Sequence, residues 1–214
     1  LSQPPPNLWP PAQSTIDLFN LSATDLTALV SQNNQRFISH VAMAFEAARL
    51  QTSHVVYIQS TQNGYDTHES NDARQRSASN LYMPTIAKLL SALKATPSPV
   101  DGSLSMFDTT HVVITSELTR AASAQTGTKQ DGTLFDGTGT PHLDWTQAAL
   151  FGGNFKSGTA FGATDNTLKG IPADFTTGAL NQGQVPSIKN LHATILKANG
   201  VDPSGWTTAA PIDA

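Results

Sequence analysis

A short apolar run that ends in an acid–imidazole loop constrains this chain more than any other feature. The run is His54-Val55-Val56-Tyr57-Ile58-Gln59-Ser60, and the loop beyond it holds Gly64-Tyr65-Asp66-Thr67-His68. A second apolar run, His111-Val112-Val113-Ile114-Thr115, shows no polar alternation. Runs of that kind suit parallel strands buried on both faces. A third, Thr146-Gln147-Ala148-Ala149-Leu150-Phe151, is closed by Gly152-Gly153.

The segments between these runs have helical spacing. Leu26, Leu29, Val30, Phe37, Val41, Phe45 and Ala48 predict one long helix ending near Leu50 to Thr52, capped by Ser22 or Thr24 and favoured by Asp25 in its first turn. Leu81, Ile86, Leu89, Leu90 and Leu93 predict a second helix between Asp72 and Ala95, with Pro84 kinking it or marking its true start. A last helix starts with Pro186 in its first turn, continues through Ile188, Leu191, Ile195 and Leu196, and closes at Asn199-Gly200. Residues Ala121 to Thr140 form a long loop rich in Gly, Thr and Ser. A loop of that length inside a domain is usually functional or mobile.

The order helix, strand, helix, strand, loop, strand, helix predicts an α/β protein with a mostly parallel sheet and flanking helices. The strands are too few for a full doubly wound sheet. The expected organisation is therefore a proline-rich N-terminal arm over 1–21, extended and lying against a larger body, and the C-terminal portion of an α/β domain over 22–214. The chain opens on Leu1 without an initiator Met, so a processed piece of a longer precursor is expected.

Composition narrows the function classes. Charged residues make up 13% of the 214 residues, against about 25% in an average domain. Ser, Thr, Asn, Gln and Gly take their place, a surface common on exported proteins. A net charge of -4 offers no electrostatic footprint for nucleic acid or an anionic membrane. The absence of cysteine removes disulfides, thiolate catalysis and cysteine-held zinc. No apolar run approaches the ~20 residues of a membrane span.

Three loops carry candidate chemistry. The first holds Asp66 and His68, the second Glu117 and Arg120, and the third His142. Carboxylate and imidazole together are the donors expected around zinc or a similar divalent ion. Each group also has a plainer reading. Asp66 and His68 suit an Asx-turn beside an exposed histidine. Glu117 and Arg120 suit an ion pair at a strand end, and His142 a turn residue after Pro141. On a parallel sheet His142 enters its strand at the wrong edge, unless the long loop or an antiparallel strand brings it back. His40, His54, His111 and His192 read as packing or surface groups. Asp131-Gly132 and Asp136-Gly137 read as turns, since their spacing does not match an EF-hand loop.

Taken in order, Gly64-Tyr65-Asp66-Thr67-His68, Ser116-Glu117-Leu118-Thr119-Arg120 and Gly139-Thr140-Pro141-His142-Leu143, followed by Leu150-Phe151-Gly152-Gly153, resemble a known pattern. It is that of a bacterial family of exported proteins of unknown function in the alkaline-phosphatase-like superfamily. Members of that family show Gly-Trp-Asp-Thr-His, then Ser-Glu-Phe-Gly-Arg, then Gly-Thr-Asp-His-Gly before a strand ending in Gly-Gly. The chain departs from it at Pro141, which stands where the family has Asp, and at Leu118-Thr119 in place of Phe-Gly.

The resemblance implies an alkaline-phosphatase-like fold that is incomplete without an N-terminal half. It also implies a metal site in which Asp66, His68, Glu117 and His142 are ligands or near-ligands, with zinc the first choice of ion. Arg120 would orient Glu117 or hold an anionic oxygen, and the nucleophile would lie outside this chain. The implied function is metal-dependent hydrolysis of phospho- or sulfo-esters. The alternative is a non-catalytic exported protein that serves in structure or surface assembly. The expected partner is the N-terminal half of the same precursor or another protein chain. The expected location is the bacterial periplasm or the exterior.

Overall fold

The first helix starts where the prolines of the N-terminal segment stop. In the computed structural model, which describes residues 10–27, 36–59, 70–115, 119–120, 124, 126–143, 147–156, 158–166 and 169–213, α1 covers Gln13–Phe19. The arm expected to be extended is thus helical over these residues. Gln13 to Phe19 hold no proline, and Asn20 ends the helix in the left-handed region at φ 52°, which Asn tolerates better than most residues. Phe19 is fully buried. Its ring meets that of Phe45 at 5.5 Å and 59°, so a hydrophobic anchor decides the arm's conformation.

Contacts divide the chain into two units, residues 1–110 with 124–140, and residues 111–123 with 141–214. In the first unit α2 covers Ala23–Thr27 and α3 covers Arg36–Arg49. The helix expected from Ser22 to Thr52 is seen as these two segments, and Leu29 and Val30 lie outside the described residues. The cap is as read from the sequence. Ser22 N and Oγ donate to Asp25 Oδ2 at 2.8 and 2.7 Å, and Asp25 N donates to Ser22 Oγ at 3.1 Å. Val41, Ala42, Phe45 and Ala47 form the buried face of α3.

The next helix, α4, spans Asn71–Ala95 and runs through Pro84. Pro84 therefore does not mark its start. Ala78, Tyr82, Ala92 and Leu93 are buried, and Tyr82 packs edge-on against Phe37 at 4.7 Å. A one-turn helix, α5, covers Met106–Thr109 with a Ser105–Asp108 capping box and buries Met106.

In the second unit β1 covers Val112–Thr115 and pairs antiparallel with β4, Ala148–Phe151. Between them β2, Thr119–Arg120, pairs antiparallel with β3, His142–Leu143. Then α6 spans Ile188–Ala198 under a capping box of Ser187 and Asn190. Pro186, expected in its first turn, instead precedes the Ser187 N-cap and lies outside the helix, while Gly200 follows the C-cap at φ 72° as expected. A 3-10 turn, Pro203–Gly205, leads into the tail.

These ladders correct the fold expected from the sequence. Among the described residues there is no mostly parallel sheet and no alkaline-phosphatase-like arrangement of strands between helices. The strands form two short antiparallel ladders, and helices dominate. Two physical facts account for the error. A continuous apolar run is compatible with either strand direction, whereas direction follows from the connection. Parallel neighbours need a crossover, while antiparallel ones need only a loop. Here the described residues between Arg120 and His142 form no helix that could make such a crossover. Moreover, β1 is only half-buried along most of its length, not covered on both faces. The most strand-like run fails as well. Residues 54–59 form no strand, and Val55 and Tyr57 are each 82% exposed. β-Propensity without a partner strand does not make a strand.

Candidate functional site

The long loop that sets apart the expected site residues has an architecture of its own. Asp131 Oδ1 accepts from Thr133 N and Oγ1 at 3.0 and 2.7 Å, and Asp136 Oδ1 accepts from Thr138 N and Oγ1 at 2.8 and 2.7 Å. Both are Asx-type turns, in which a carboxylate closes a ring with the backbone two residues on. These bonds, hydroxyl first, hold both carboxyls below the usual carboxylate range. The second turn serves α4. Thr138 Oγ1 accepts from Ser70 N at 2.6 Å, and Thr138 O accepts from Asn71 N at 2.9 Å. The N-terminal N–H groups that α4 leaves unpaired are thereby satisfied, in part, by the loop.

At the end of this loop the backbone brings two of the predicted site residues together. Arg120 is the direct partner of His142 in the β2–β3 ladder. Directly paired residues in an antiparallel ladder have Cα atoms about 4.5–5.5 Å apart. An antiparallel return is the condition under which His142 rejoins the second loop, and the ladder meets it. Asp66, His68 and Glu117 lie outside the described residues. Among the described residues no group of three or more His, Asp or Glu is clustered for a metal. Two carboxylates and two imidazoles remain a donor set suited to zinc by its chemistry, and His142 alone among the four has a placed backbone.

Two features escape the sequence reading. One is the setting of His111, which the sequence marks only as a packing or surface group. Its ring lies 4.8 Å from that of Phe155, nearly edge-on, and its Nε2 accepts from Asn154 N at 3.2 Å. Gly153 has φ 52°, and a Cβ there would overlap the His111 ring. The Gly152-Gly153 pair is the available signal. In sequence it reads as a strand terminator, whereas one of its glycines makes room for an imidazole. The other feature is an open groove of about 770 Å³ along α6 and the 3-10 turn, lined by Lys189, His192, Ile195, Leu196 and Trp206 among others. Trp206 is 77% exposed.

The fold and the placed part of the site define a helix-rich protein whose short antiparallel ladders carry an Arg–His pair at the neck of a long loop. The chain belongs to the DUF1501 family of proteins of unknown function, whose pattern it matches over residues 13–210. No curated protein and no solved structure matches it. No helix among the described residues is long and apolar enough to cross a membrane.

Proposed function

We propose that this chain carries the donor set of a divalent-metal centre for hydrolysis of phospho- or sulfo-esters, in a bacterial protein of the periplasm or exterior. Asp66, His68, Glu117 and His142 are the donors, and zinc is the first choice of ion. A bound divalent ion would supply Lewis acidity toward the ester oxygens. Arg120 would hold an anionic ester oxygen through its planar fork of N–H donors. The nucleophile is left to a partner, either the N-terminal half of a longer precursor or another chain, because no Ser or Thr here is assigned to the role.

The observation that carries this reading is the pairing of Arg120 with His142. It joins the second and third motifs, which stand far apart in sequence, at one point of the backbone. The test is metal content of the purified chain, with thermal unfolding before and after a chelator. A bound divalent ion and a chelator-lowered Tm are expected. A metal-free chain whose Tm ignores both chelator and added zinc overturns the reading.

A second reading is a non-catalytic structural or surface-assembly protein. Pro141 in the third motif favours it, since a carboxylate is lost there, as does the exposed apolar run around Val55 and Tyr57. Concentration-dependent association in sedimentation, lost in Val55→Ser/Tyr57→Ser, would support it over the enzyme.

A further inference from the structure

We propose that His111 is an acid-labile clamp, holding the start of β1, the Gly152–Phe155 turn and the C-terminal end of α6 together only while its imidazole is neutral. The inference stands independently of any metal.

The geometry requires one protonation state. Nε2 accepts from Asn154 N at 3.2 Å, so in this arrangement that nitrogen carries no proton, and the ring's N–H is on Nδ1. The Asn199 side chain lies near enough to the ring to favour its charged form. Asn199 is the C-cap of α6, and its Nδ2 donates to Ile195 O at 2.8 Å. Asn154 reaches the same helix end, its Nδ2 donating to Ala198 O at 3.4 Å. Phe155 packs against one side of the imidazole. Gly153 lies so close that any side chain would strike the ring. Through Asn154, which bonds both the His111 ring and Ala198 O, one histidine thus ties three segments that are far apart in sequence.

Protonation breaks this arrangement. It places a second N–H on Nε2, aimed at the N–H of Asn154, so a donor faces a donor. Burial pushes the imidazole below its ordinary value, and the Asn199 side chain opposes this in part. No charged group contributes to the shift. Of those on the packed elements, Lys197 is bonded to Asp213 at 2.8 Å, and Lys156, Lys189 and His192 are exposed. A group lowered in the folded state binds more protons when unfolded. The clamp's contribution is therefore complete above about pH 6.5 and is lost as pH falls through the lower folded value.

The test is an NMR titration of the full chain from neutral to about pH 5. It follows the His111 ring and the exchange protection of the Asn154 amide, corrected for the intrinsic pH dependence of exchange. His111 is expected to titrate below the ordinary range, and Asn154 protection to fall about tenfold, equivalent to about 1.4 kcal/mol, in step with it. In His111→Gln the same amide should show no such step. Should that variant not fold, the wild-type titration decides alone. Gly153→Ala, which displaces the ring, should bring His111 back toward its ordinary value. Unchanged Asn154 protection across the titration, or a His111 that titrates at or above the ordinary range, overturns the clamp.

Discussion

Arg120 stands directly opposite His142 in the β2–β3 ladder. Under the proposed function the two residues have separable roles, His142 holding the ion and Arg120 an ester oxygen. His142→Ala should lower divalent-metal affinity by more than the roughly 10–100-fold typical of losing an outer partner of a ligand, while Arg120→Ala leaves metal content intact and weakens binding of inorganic phosphate to the loaded chain. Isothermal titration with zinc, then with phosphate, separates the two. Because an imidazole ligates only when neutral and a carboxylate only when ionised, zinc affinity should fall in acid. Equal metal affinity in wild type and His142→Ala would remove His142 from the donor set.

A buried carboxylate holds α1 to α3. Glu46 is 1% exposed, and its Oε1 accepts from Ala12 N at 2.8 Å while Oε2 meets Arg49 Nε at 2.6 Å. Burial raises its pKa, but the bonds from Arg49 and Ala12 outweigh that and leave it below the ordinary value. A carboxylate lowered in the fold contributes stability above its unfolded value, and that stability is lost as pH falls through the folded one. Glu46→Gln should cost about 1.5–3 kcal/mol near neutrality, and the gap from wild type should close in strong acid. Urea unfolding at several pH values reads both.

The loop-borne cap of α4 depends on one hydroxyl. Thr138→Val keeps the shape but leaves Ser70 N without its acceptor and releases Asp136 from its hydroxyl bond. The expected loss is about 0.5–2 kcal/mol, with faster amide exchange confined to the first turn of α4. Loss spread evenly over the first unit would argue against a local cap.

Asn190 serves two elements at once. Its Oδ1 accepts from Ser187 N and Oγ at 2.9 and 2.6 Å, and its Nδ2 donates to Ala210 O at 2.8 Å. Asn190→Asp retains the cap acceptor and removes the donor to the tail. That variant should keep α6 helicity yet expose the tail to limited proteolysis, whereas Asn190→Ala should lose both, at about 1–3 kcal/mol. Identical proteolysis of wild type and Asn190→Asp would show that the tail is held by other contacts, such as Ile212 N to Thr194 Oγ1.

Helix ends are the most legible part of the sequence. The Ser22–Asp25 cap, the closing Asn199-Gly200 and the two Asp-Gly turns rest on bonds between residues two to four apart, which chemistry alone specifies. The strand at Val112 to Thr115 is also legible, but its direction is not. The run His54 to Gln59 misleads for the same reason, because a strand is a property of two segments. For the candidate site, the motif pattern names Arg120 and His142, but nothing in the spacing places them opposite each other.

The sequence by itself therefore determined the Ser22 cap, the Asn199-Gly200 helix end, the Asp-Gly turns and which side chains are proposed as metal or anion donors, since each depends on local bonding or side-chain chemistry. Only the tertiary structure decided that the ladders are antiparallel and that Arg120 pairs with His142. It likewise decided that Phe19 is buried against Phe45 at the end of a helix over Gln13–Phe19 and that Gly153 makes room for His111. Those outcomes depend on which distant segments bury one another's surface and satisfy one another's backbone groups, and no local stretch carries that information.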